Sequence, residues 1–72
     1  MSHKQTTISN NTGKAVSVFY YSKLNHSCRV NGIITSYEGT IITIAKPNGK
    51  RVKIADFHVF RLHGSRQRTE FL

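Results

Sequence analysis

Acidic residues are scarce in this sequence: three Asp plus Glu stand against eleven Lys plus Arg in 72 residues, a formal charge of +8 with the histidines neutral. So few carboxylates argue against a paired-carboxylate active site of the usual kind. Cysteine is scarcer still. Cys28 stands alone, which excludes a disulfide within the chain and, with no signal-peptide pattern at its start, points to a reducing, cytoplasmic compartment. Long apolar runs are also missing: residues 15–22 form the longest uncharged, apolar-leaning stretch, far below the roughly 20 residues of a membrane-spanning helix. There is no glycine-rich phosphate loop, nucleotide fingerprint or nucleophile–base arrangement, so no enzymatic activity is expected. His26 and Cys28 are spaced as two soft ligands on one side of a strand, but His3, His58 and His63 follow no metal-binding spacing. No metal or cofactor is expected, and Cys28 reads as a small half-buried residue.

What is present is cationic charge and β-forming side chains. A chain this short makes one domain with a small core that is marginal by itself. Residues 1–12 are mostly Ser, Thr, Asn and Gln with one internal large aliphatic, Ile8, and read as a flexible arm extending to residue 13. Residues 64–72 read as a basic tail. Between them, residues 14–63 are rich in Val, Ile and Thr, whose stiff branched side chains suit a pleated surface. Alternation is plain in Arg51-Val52-Lys53-Ile54, with the cations facing out and the aliphatics in. Pro47-Asn48-Gly49 supplies the residues of a tight turn, Glu38-Gly39 marks a second reversal, and residues 23–26 a third. The pattern predicts five antiparallel strands near 15–21, 27–37, 40–46, 50–55 and 57–62. Such strands fit an all-β, small, strongly bent open barrel, with Gly32 where the second strand bends. The fourth and fifth strands are its expected edges.

Basic residues concentrate late in the chain: Lys46, Lys50, Arg51, Lys53, Arg61, Arg66 and Arg68. A charge excess of this kind points first to nucleic acid, whose phosphates such side chains neutralise. A solvated strand face that keeps the protein soluble would carry the same residues. Phe19-Tyr20-Tyr21 cannot all point inward, because successive strand side chains alternate faces. Phe19 and Tyr21 are therefore open to two roles, stacking on a nucleic-acid base and packing against another subunit. Tyr37, Phe57 and Phe60 are read as core or subunit packing.

Gly32-Ile33-Ile34-Thr35-Ser36-Tyr37-Glu38, followed by Ile41-Ile42-Thr43-Ile44, resembles the first motif of the Sm-like family, and of its bacterial RNA-chaperone branch, Hfq, in particular. The stretch Val16-Ser17-Val18-Phe19-Tyr20 resembles that family's first strand, and Phe57-His58-Val59-Phe60 occupies the place of its second motif. The resemblance implies a ring of six or seven copies, joined through the fourth and fifth strands, that binds single-stranded RNA. It also implies a purine-stacking role for Phe19. The family's amphipathic N-terminal helix has no counterpart in the pattern of residues 1–12. Its cationic uridine contact is replaced by Ala55-Asp56-Phe57, and its uracil-stacking aromatic aligns with Thr40. An SH3-like adaptor that binds an acidic protein, or a protein binding duplex DNA, would share the same barrel and charge.

Overall fold

The computed structural model describes residues 2–65 and 67–71. It is built from a short helix α1 (His3–Asn10), strands β1 (Ala15–Tyr21), β2 (Ser27–Glu38), β3 (Ile41–Ala45) and β4 (Arg51–Ala55), a 3-10 turn (Asp56–His58), and strands β5 (Val59–His63) and β6 (Arg68–Glu70). The strands form one antiparallel sheet in the order β4-β3-β2-β1-β5-β6. The fold is thus all-β and barrel-like, as the alternation of Val and Ile with polar residues implies. The Asn48-Gly49 turn is closed by Lys46 and Lys50, whose backbones pair at 2.8 Å, with Gly49 at φ 87°.

Inward positions carry the aliphatics. Val16 and Val18 of β1, Val30 and Ile34 of β2, Ile42 and Ile44 of β3, Ile54 of β4, and Val59 and Leu62 of β5 form one buried cluster. Tyr20, Tyr37 and Val52 pack at its margin. Two irregularities, between Phe19 and Tyr20 in β1 and between Ile34 and Ser36 in β2, shift the register and increase the bend. Gly32 sits where β3 leaves no room for a side chain: a Cβ there would lie 2.3 Å from the Ala45 carbonyl oxygen. The bend brings the ends of the sheet together. In a flat sheet β1 and β4 would lie about 14 Å apart, yet Tyr20, Tyr21 and Lys23 share one hollow with Lys53, Ile54, Ala55 and His58.

Three expectations are corrected. The first concerns the expected arm, which is helical from His3 to Asn10. Ser2 caps it, its hydroxyl accepting from the Gln5 amide while its own amide donates to the Gln5 side chain. Ile8, completely buried, anchors the helix to the core. Most of the described part of the expected tail is also ordered: β6 pairs along β5, and Phe71 enters the core cluster with its amide donating to the Phe60 carbonyl at 2.8 Å. Last, β5 is not an edge. The free edges of the sheet are β4 and β6, so pairing between copies through β5 requires β6 to leave first. Among the described residues no helix is long and apolar enough to cross a membrane.

Candidate nucleic-acid interface

Alternation puts Phe19 and Tyr21 on the face of β1 opposite Val16 and Val18. Register then sets their neighbours. Phe19 lies opposite Arg29 across β2 and opposite Arg61 across β5, and Arg61 in turn lies opposite Glu70 of β6. One row across the sheet therefore reads Arg29, Phe19, Arg61, Glu70. The next row along reads Asn31, Ser17, His63, Arg68.

Side-chain geometry tightens this row into a site. The Arg61 guanidinium carbon is 5.4 Å from the Phe19 ring centroid and 5.8 Å from that of Phe60, close enough for cation–π attraction. Tyr21 and Phe60 stack with centroids 4.5 Å apart and planes at 29°, and His63 meets Phe19 at 4.8 Å. Arg61 Nη2 pairs with Glu70 Oε1 at 2.8 Å, both side chains partly exposed, while Arg61 Nε is buried with no acceptor among the described residues. Phe19, Tyr21, Ser27, Cys28, Arg29, Phe60 and Arg61 line an open hollow of about 590 Å³. Tyr21 also borders the hollow at the barrel seam, where Lys23 and Lys53 stand. Tyr21 thus links the hollow that holds Arg29 and Arg61 to the one that holds Lys53.

The sequence-based candidates divide accordingly. Phe19, Tyr21 and Arg61 come together, and Lys53 joins them through the seam. Lys46, Lys50 and Arg51 gather instead at the β3–β4 turn and line neither hollow. Arg68 is exposed on β6, on the same face as Glu70. Arg66 lies outside the described residues. Phe57, expected in packing, is 69% exposed in this chain, on the 3-10 turn away from the core. Phe60, also expected in packing, is half-buried and forms one wall of the site. Arg29, Phe60 and His63 were not among the candidates. Arg29 was accessible from register alone: once Tyr21 faces Ser27 across the reversal, Phe19 must face Arg29.

Asp56, the anion standing where the Sm-like resemblance would place a cation, is buried. Its carboxylate accepts the Tyr37 hydroxyl at 2.5 Å, its amide donates to the Thr40 carbonyl, and its own carbonyl accepts from Lys4 Nζ. Burial, and then the hydrogen bond and negative charge of Asp56, push the Tyr37 hydroxyl up to about 12. This carboxylate is structural. Cys28 donates to the His26 carbonyl at 3.6 Å. Among the described residues no three His, Cys, Asp or Glu side chains gather to hold a metal.

Together these features define a small basic β-barrel with an aromatic–arginine face on β1, β2 and β5. Comparison with protein-family models, with curated proteins and with solved structures finds no match to the chain.

Proposed function

We propose that this protein binds single-stranded nucleic acid, RNA in the first place, on the outer face of β1, β5 and the start of β2, without altering it chemically. The observation that carries this reading is Phe19 set between Arg29 and Arg61 on adjacent strands, beside the stacked Tyr21–Phe60 pair. Rings on such a platform stack on bases, and the flanking guanidiniums and Lys53 neutralise the phosphates between them. Stacking on a side chain needs an unpaired base, which favours a single strand over a duplex. RNA is placed first because the Sm-like resemblance implies it. A ring of copies belongs to the same proposal. Its sheet contacts use the open β4 edge together with β6, or with β5 once β6 has moved.

Fluorescence anisotropy with labelled oligouridylate and oligoadenylate tests the reading. Phe19→Ala should weaken binding by about 5- to 150-fold, the equivalent of roughly 1–3 kcal/mol for one stacked base, at an unchanged salt slope. Arg29→Ala and Lys53→Ala should each lower that slope by about 0.7, the single-strand value per phosphate contact. Arg51→Ala, outside both hollows, should change it less. If Phe19→Ala and Arg29→Ala both leave affinity unchanged, this face is not the binding surface.

A further inference from the structure

Only three acids are present in the chain, and Asp56 is buried, so 3 − 1 = 2 carboxylates, Glu38 and Glu70, remain at the surface among eleven cations. One of those two sits on the cation at the centre of the aromatic face. Glu70 Oε1 holds Arg61 Nη2 at 2.8 Å, with the guanidinium poised over Phe19 and Phe60. We infer that Glu70 is an internal stand-in for a phosphate, occupying Arg61 until a phosphate of the bound strand displaces it. This rests on the binding reading above and adds to it the regulation of its central cation.

The geometry suits an exchange. Glu70 is on β6, a three-residue strand at the sheet edge, and its side chain is 65% exposed. Ion pairs this exposed are weak, so releasing one is cheap. Arg61 Nε is buried with no acceptor among the described residues, and thus incompletely satisfied where it is. A phosphate in the place of Glu70 would accept from Nη2, and a turn of the Arg61 side chain that uncovers Nε would add the second donor, the bidentate geometry in which guanidinium groups bind phosphates best. Glu70 also keeps Arg61 extended across the two rings, ready for a strand that brings a base and a phosphate together. Anions that bring only charge must compete with a carboxylate already in place.

Two paired measurements test this. Glu70→Gln and Glu38→Gln change the net charge equally. Glu38 lies nine residues along β2 from Arg29 and does not line the hollow around Arg61, so it does not compete for that cation. Glu70→Gln should bind labelled oligouridylate about two- to five-fold tighter than the unmodified chain, the range expected from losing one exposed ion-pair competitor. Glu38→Gln should stay close to the unmodified chain. In the unmodified protein, the Glu70 carboxyl carbon signal should move on saturation with the oligonucleotide while that of Glu38 stays. This second readout holds even if the substitution loosens β6. A still Glu70 signal, or equal affinity of the two variants with the Phe71 amide protected in both, overturns the inference. Arg61→Ala separates the readings: if it weakens binding while Glu70 proves inert, the binding face stands and only the stand-in role falls. If Phe19→Ala, Arg29→Ala and Arg61→Ala all bind normally, the binding reading fails and the inference falls with it.

Discussion

Replacing Ile8 with Ala tests whether the first dozen residues belong to the folded protein. An isolated eight-residue helix is unstable in water, where about 12–15 residues are marginal even for good helix formers. α1 contains two threonines, a serine and an asparagine, and therefore depends on docking. Ile8 is its one buried side chain and has no exposed surface. Truncating a buried Ile to Ala costs about 2–5 kcal/mol, against a total stability of roughly 4–11 kcal/mol for a chain of this length. The low end applies here. A helix at the end of the chain releases itself rather than hold a cavity open, so the loss is capped at its docking free energy, about 2–3 kcal/mol. Ile42 is equally buried but lies on β3, paired on both sides. It has no such escape, and Ile42→Ala should cost about 3–5 kcal/mol. Urea denaturation measures both. Ile8→Ala should also lower the slope with urea, because a native state with α1 released exposes less new surface on unfolding. A loss below about 0.5 kcal/mol, within the range of ordinary surface substitutions, would refute the docked helix and return residues 1–13 to the flexible arm that their composition suggests.

At Gly32, substitution by Ala should lower stability by about 3 kcal/mol, as over-packing that reaches the backbone does, because the new Cβ would fall 2.8 Å from Ile44 Cγ2 as well as against the Ala45 carbonyl. Thermal unfolding at unchanged midpoint would show that β3 does not pack so closely against Gly32. Tyr37 has its hydroxyl raised to about 12 in the folded state, against 10 for a free tyrosine. The folded state therefore holds this proton more tightly. Its stabilising contribution is present below about pH 10 and lost as pH rises through 12, on the order of 1–2 kcal/mol after solvent screening. Urea stability should fall more steeply between those pH values for the unmodified protein than for Tyr37→Phe, and parallel curves would refute the assignment.

Strand content was legible because β-branched residues mark it directly. β1 runs over the expected residues, and β2, β3 and β4 end within one residue of expectation. β5 starts two residues late, because Asp56–His58 coils into a 3-10 turn instead of continuing the strand. The helix was hidden by its composition: with a single aliphatic it has no apolar stripe to read, although Ser2 followed by Gln5 is the pattern of a capping box. β6 was hidden by its length and polarity. Its signal was Phe71, an apolar side chain following the polar run of residues 65–70, which turns out to be in the core. The candidate site was half legible. Phe19, Tyr21, Lys53 and Arg61 could be picked by residue type, but Arg29 and Phe60 depend on which residues face each other across strands. That is a property of register, not of composition.

The placement of the three acids separates what folds this chain from what it displays. A carboxylate at position 56 cannot face a phosphate backbone without repelling it, and burying it unpartnered would cost several kcal/mol. Instead Asp56 links three elements, taking a hydroxyl from β2, donating its amide to the β2–β3 turn, and offering its carbonyl to Lys4 of α1. The end of the barrel where the Sm-like resemblance would put a cationic contact is thus committed to holding β4, β2 and the helix together. Its anion is spent on the fold, and Tyr37 with it. The proposed recognition of an anion is therefore assigned to another surface, the outer face of β1 and β5, where the described residues gather aromatic rings with arginines. Glu70 is the one exposed acid on that face. It is paired to Arg61 at an exposed position, whereas Asp56 is buried.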